Sequence, residues 1–149
     1  MNLKQKLYQS CETLIEERFQ AIQKTIEELQ KALLSETKSS AGDKHETGRA
    51  MLQLEREKTG QQLAEINKTK IVLSKVNLGK QSNVVTLGSL VYTSQSNYFI
   101  AISAGNLVID NESFYAISAN TPIGKLLIGK TKGDNIDFNG NSIEIKKIE

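Results

Sequence analysis

Little in this chain invites covalent or redox chemistry. It holds one cysteine, Cys11, one histidine, His45, one proline, Pro122, and no tryptophan. A single thiol cannot build an internal disulfide framework, and a reducing compartment is the simplest setting for it. A Cys-His nucleophilic pair is excluded on geometry: Cys11 falls early in a long helical pattern and His45 beyond its far end, so about 35 Å of helix would separate them. There is no apolar run long enough to span a bilayer. The start, Met1-Asn2-Leu3-Lys4-Gln5-Lys6, leads into mixed polar sequence and not into the apolar segment of a secretory signal. A cytoplasmic protein with no membrane partner is therefore expected. The formal net charge of +2 over 149 residues is too small for wholesale nucleic-acid wrapping, although local basic patches fit within it.

What is present divides near residue 78. Up to Lys75 the chain is dense in Glu, Lys, Gln and Leu; from Val84 onward charges thin out and Gly, Asn, Ser, Ile and Val take over. The expectation is a helical domain over residues 1–78 and a β-rich one over 79–149, joined at Asn77-Leu78-Gly79-Lys80-Gln81-Ser82-Asn83. Ile15, Phe19, Ile22, Ile26, Leu29 and Leu33 recur at the alternating four-and-three spacing of a coiled-coil seam. A helix from about Leu3 to about Leu34 would be roughly 45 to 50 Å long, too long to bury in so small a protein. The nearest partner is a returning helix from about Thr47 to Val76, which makes an antiparallel hairpin. Its seam, Leu52, Leu63, Ile66, Leu73 and Val76, is interrupted at Thr59 and Gly60. Glycine costs about 1 kcal/mol against alanine inside a helix, so a bend or a close approach is expected at Gly60. Glu16, Glu17, Lys24, Glu27, Glu28 and Lys31 form a solvated face.

In the second half Val84–Leu87, Leu90–Tyr92, Tyr98–Ile102, Leu107–Ile109 and Phe114–Ile117 suggest short strands between Gly, Ser and Asn clusters. Asn139-Gly140 between Ile136-Asp137-Phe138 and Ile143-Glu144-Ile145 is a strong hairpin signal. One helical island interrupts them: Thr121 suits an N-cap, Pro122 the first helical position, and Gly129 the cap after Ile128. The fold class is α+β, an N-terminal antiparallel coiled-coil hairpin followed by a small antiparallel sheet domain with one short helix.

The hairpin's break carries Gly42-Asp43-Lys44-His45-Glu46. Asp43 and Glu46 have the spacing of a capping box, with Asp43 capping the second helix and Glu46 reaching back to its amide. The same two carboxylates suit Mg²⁺, which takes oxygen ligands and is often held by one or two carboxylates beside substrate phosphates. At about 4 Å apart they would repel by about 4 kcal/mol at an effective dielectric of 20, a strain that a shared cation relieves. Both roles are open.

Thr121-Pro122-Ile123-Gly124-Lys125-Leu126-Leu127-Ile128-Gly129-Lys130, followed by Lys132-Gly133-Asp134, resembles the C-terminal signature Ser-Pro-Ile-Gly-Lys-Ala-Leu-Leu-Gly-Lys…Gly-Asp of bacterial Gre transcript-cleavage factors. The order of parts is similar over nearly the whole chain: a helical hairpin, a Gly-Asp-x-x-Glu loop and then a domain of FKBP-like fold. The resemblance implies a transcription elongation factor that docks on RNA polymerase, threads its hairpin into the secondary channel and stimulates the polymerase's own Mg²⁺-dependent cleavage of backtracked RNA. Asp43 and Glu46 would then hold a Mg²⁺ shared with the polymerase, next to the nascent RNA 3′ end. Two metals can stabilise the attacking and leaving oxygens of such a hydrolysis. The factor would act as a monomer and would not be a stand-alone enzyme. Lys38, Lys44, Arg49, Arg56 and Lys58 are similar in placement to the family's RNA-guiding basic residues, and His45 joins them as a contact to RNA or polymerase; a solvated helix face is the other reading. Thr121, Pro122 and Ile123 would be a docking surface, and they equally account for themselves as a helix start. Where the family continues Asn-Ala-Glu-Tyr after the loop, this chain has Thr47-Gly48-Arg49-Ala50. That departure opens the alternative of a non-cleaving channel regulator. A coiled-coil interaction adaptor is the alternative of a different class. An FKBP-like prolyl isomerase needs an aromatic-lined pocket, and a chain with four Phe, four Tyr and no Trp has little to build one from.

Overall fold

A computed structural model of the chain describes the backbone of residues 1–38 and 43–149 and the side chains of residues 1–36 and 46–149. The chain forms two compact units, one from Ile15–Lys70 and the other from Met1–Leu14 together with Ile71–Glu149.

The Ile15–Lys70 unit consists of the greater part of α1 (Leu3–Lys38) and α2 (Asp43–Ser74). Each helix extends four residues further toward the turn than the apolar spacing suggests, because helical backbone continues past the last seam residue. On α1 the seam is as expected: Ile15 and Leu33 are buried, and Phe19, Ile22, Ile26 and Leu29 are half-buried between them. On α2 the inward row at Leu52, Arg56, Thr59, Leu63, Ile66 and Lys70 carries three polar residues. Thr59 is buried, with its hydroxyl donating to the Glu55 carbonyl at 2.8 Å, so the burial leaves no polar group unpaired. Lys70 donates to Glu16 Oε2 at 3.0 Å and lies 3.6 Å from the centre of the Phe19 ring. Its charge is thereby paired while its stem covers the seam. The Glu36 carboxylate lies over Gly48. Twenty residues forward along α1, from Glu16 to Glu36, thus match twenty-two back along α2, from Lys70 to Gly48, so the helices pair antiparallel in a register that holds to within two residues. The close approach expected at Gly60 is absent: a β carbon there would meet nothing within 4 Å, and α2 runs through it as helix.

The other unit is built on a six-stranded sheet: β1 (Leu90–Thr93), β2 (Asn97–Ile100), β3 (Gly105–Ile109), β4 (Glu112–Ile117), β5 (Asn135–Phe138) and β6 (Asn141–Ile148), in the order β3-β4-β2-β1-β6-β5. The pairs are antiparallel except β2 with β4, where Tyr98, Phe99 and Ile100 run parallel to Tyr115, Ala116 and Ile117. The β3–β4 hairpin places β3 outermost and returns β4 beside β2, which forces that one parallel pair. The β3–β4 and β5–β6 hairpin turns each have two residues at positive φ, Asp110 (51°) with Asn111 (65°) and Asn139 (52°) with Gly140 (79°), the requirement of a two-residue primed turn. The strand expected at Val84–Leu87 is absent. Only Val84 bridges Thr131, because the segment then turns, with Thr86 N donating to Ser89 Oγ, Ser89 N to the Thr86 carbonyl, and Gly88 at φ +91°.

One face of the sheet packs Val91, Tyr98, Ile100, Ile136, Ile143 and Ile145 with Ile123 and Leu127 of α3 (Pro122–Leu127). By strand alternation Leu90, Phe99, Phe114 and Ala116 lie on the opposite face, and all four are buried. Leu7 and Cys11 of α1 are fully buried in the same unit. Each fully buried Leu, Ile or Phe contributes roughly 1.5–3 kcal/mol. Tyr8 donates its hydroxyl to the Leu73 carbonyl at 3.2 Å, and Lys6 pairs with Asp110 at 3.3 Å in the β3–β4 turn.

Candidate functional site at the hairpin turn

Helix α2 begins at Asp43, so Asp43 and Glu46 fall one turn apart at its N-terminal end. Glu46 is exposed. Carboxylates in a first helical turn are favoured by the helix dipole and the free N–H groups there, so the position is compatible with a cap and leaves the Glu46 side chain accessible to an outside ligand. The side chains of Lys38, Asp43, Lys44 and His45 lie outside the described residues, and with them the capping-box geometry.

Glu36 is a residue the sequence did not single out. Its half-buried carboxylate lies 3.5 Å from where a β carbon of Gly48 would stand, which brings a further acidic side chain against the opening turns of α2. The signal that finds it is the antiparallel register, which sets residue 36 opposite residue 48. Among the described residues no group of three or more His, Cys, Asp and Glu side chains is placed to hold a metal ion. Glu46 offers the oxygen-ligand chemistry that Mg²⁺ takes.

Among the described basic residues, Arg49, Arg56 and Lys58 do not line one groove. Arg49 and Arg56 share a groove of about 370 Å³ with Gln30, Leu33, Leu34 and Gln53. Lys58 lines a different groove of about 530 Å³, with Arg18, Ala21, Ile22, Gln61, Gln62, Glu65 and Ile66. Arg49, Arg56 and Lys58 are all exposed.

In the sheet unit the Thr121–Lys130 signature is built as a helix start. Thr121 Oγ1 accepts from Gly124 N at 3.1 Å and donates to the Ser118 carbonyl at 2.7 Å; Pro122 takes the first helical position and is exposed; Ile123 is buried in the core. Gly124 admits no side chain, since a β carbon would collide with the Ser118 carbonyl oxygen. Gly129 at φ +82° ends the helix. Asp134 Oδ2 accepts from Thr131 N at 2.8 Å and from Thr131 Oγ1 at 3.1 Å, and these bonds, the backbone one foremost, hold its carboxyl below the usual range. Of the three residues expected to dock, Pro122 presents its side chain to solvent, Thr121 is half-buried in its capping role and Ile123 faces inward. No described helix is long and apolar enough to cross a membrane.

No family model matches the chain, and no curated protein matches it. Among solved structures the chain is similar to the crystal structure of Thermus aquaticus Gfh1, at 21% identity over 94% of each chain with a TM-score of 0.34. It is also similar to a structure described as the transcription factor Gfh1, at 20% identity over 91% of each chain with a TM-score of 0.35.

Proposed function

We propose that this protein is a Gre-like factor that binds RNA polymerase, inserts the turn of its helical hairpin into the secondary channel and stimulates cleavage of backtracked RNA. The observation that carries the reading is the acidic turn: Glu46 stands exposed one helical turn after Asp43, where α2 begins. It is joined by the C-terminal signature, whose Thr121, Pro122, Gly124, Gly129 and Asp134 each have a defined structural task. Asp43 and Glu46 are the residues that would hold the Mg²⁺, jointly with the polymerase, and the ion would supply charge stabilisation to the oxygens of the scissile phosphate. The protein is an accessory factor in this reading, its site completed only in the complex. Arg49 and Arg56 would face the nascent RNA or the channel wall from their shared groove.

A second reading, occupation of the channel without cleavage, is favoured by Thr47-Gly48-Arg49-Ala50, which sets a basic Arg49 where the family carries an acidic residue. Equilibrium binding of the protein to its cognate core polymerase tests the part common to both. Wild type, Asp43→Ala and Glu46→Ala should bind with the same affinity, since neither carboxylate is a docking group. A wild-type protein that does not bind removes both readings and leaves the coiled-coil adaptor.

A further inference from the structure

The two edges of the sheet are not alike. At one edge β5 is four residues long, carries the exposed Asp137 and packs beside α3. Short length, an outward charge and a covering helix are the devices by which proteins keep a sheet edge from pairing with another chain. The other edge, β3, is one residue longer and lacks the outward charge. Its sequence, Gly105-Asn106-Leu107-Val108-Ile109, contains no charged residue and no proline. Its nearest charges stand in and just after the β3–β4 turn and are already engaged, Asp110 with Lys6 and Glu112 with Asn97. Apolar surface lies open on both faces of this edge. Val108 is 61% exposed and shares a face with Tyr115 of β4, 41% exposed, while Leu107 and Ile109 are half-buried on the other.

From this asymmetry we propose that β3 is a docking edge, to which a protein partner adds an extended, uncharged segment with aliphatic side chains alternating on both faces. Main-chain hydrogen bonds along β3 supply the attachment, and contacts with Val108 and Tyr115 on one side and Leu107 and Ile109 on the other supply the selectivity. The occupant is a segment of a larger partner and not a second copy of this chain. Five residues make an edge of about 17 Å at about 3.4 Å each, and two such edges paired across a two-fold axis bury well under the ~1,000 Å² expected of a stable specific interface. Resting on the reading above, the partner that carries the segment is the polymerase, and the edge is a docking element separate from Pro122.

Val108→Lys and Asn106→Lys place a charge on exposed positions of β3, where folding should tolerate it and strand addition should not; Val108→Ile is the control. Binding to purified cognate core polymerase should weaken at least tenfold for both lysine variants and stay within twofold for Val108→Ile. Amide hydrogen exchange at residues 105–109 should slow at least tenfold in the wild-type complex, a change that side-chain contact alone does not produce. Wild-type binding with unaffected lysine variants, or with unchanged exchange at β3, overturns this proposal and leaves the polymerase reading intact. Absence of wild-type binding overturns both. A wild-type dimer in sedimentation that Val108→Lys converts to monomer assigns the edge to a second copy and overturns the partner proposed here.

Discussion

The α carbon of Gly124 stands so close to the carbonyl oxygen of Ser118 that no β carbon fits between them. The contact lets Thr121 bridge the same carbonyl and the Gly124 amide, and so fixes the start of α3 on the sheet. Gly124→Ala should destabilise the protein by about 1–3 kcal/mol, the range of an overpacked site, because backbone and not a yielding side chain is in the way. Urea unfolding measures it, with an unchanged or raised midpoint as the contrary result.

Gly60→Ala should have the opposite sign. Position 60 is helical and exposed, and a β carbon there meets nothing, so the substitution should stabilise by about 1 kcal/mol through helix propensity alone. A loss of stability in the same urea assay would show that α2 needs the glycine.

Burial pushes the Cys11 thiol up to about 11, and the side chain is fully enclosed. A thiol reagent at pH 8 should therefore label native protein only at the rate of its unfolding, and labelling should accelerate with denaturant in step with unfolding. Because the folded value lies above the unfolded one, the neutral thiol's contribution to stability is full below pH 9 and is lost as pH rises through about 11. Rapid labelling in native buffer would contradict the burial.

The Glu16 carboxyl is held below its usual range, first by the hydrogen bond from Gln20 and then by Lys70. A depressed carboxylate contributes stability above its unfolded value and loses it as pH falls through its folded value, so this part of the hairpin should weaken on the acid side. Lys70→Met should raise the Glu16 titration midpoint toward the ordinary carboxylate value, read by NMR of its side-chain carboxyl carbon. An unmoved midpoint would mean that Lys70 does not engage Glu16 in solution.

The first helix was legible because its seam is apolar at every step from Ile15 to Leu33. The second was not: Arg56, Thr59 and Lys70 stand on its inward row, and each is made acceptable by something the sequence does not display, namely solvent at a groove, a carbonyl one turn back, or Glu16 and Phe19 from the other helix. The Asn139-Gly140 hairpin and the Thr121-Pro122 helix start were legible since local backbone chemistry decides both. The parallel pairing of β2 with β4 was not, because it depends on which distant strand lies beside β4, and the run Val84–Leu87 lost its strand to a turn closed by Ser89. At the hairpin turn, Asp43 and Glu46 were legible as a spaced pair, whereas Glu36 becomes visible only when the antiparallel register sets it over Gly48.

The central claim is that the acidic turn acts on RNA inside the polymerase, and the length of the transcript in stalled, backtracked complexes of the cognate polymerase tests it most directly. Wild-type protein with Mg²⁺ should shorten the RNA from its 3′ end, and Asp43→Ala or Glu46→Ala should abolish the shortening while binding persists. A transcript whose length is unchanged by saturating wild-type protein, or shortened equally by the two alanine variants, would contradict the claim.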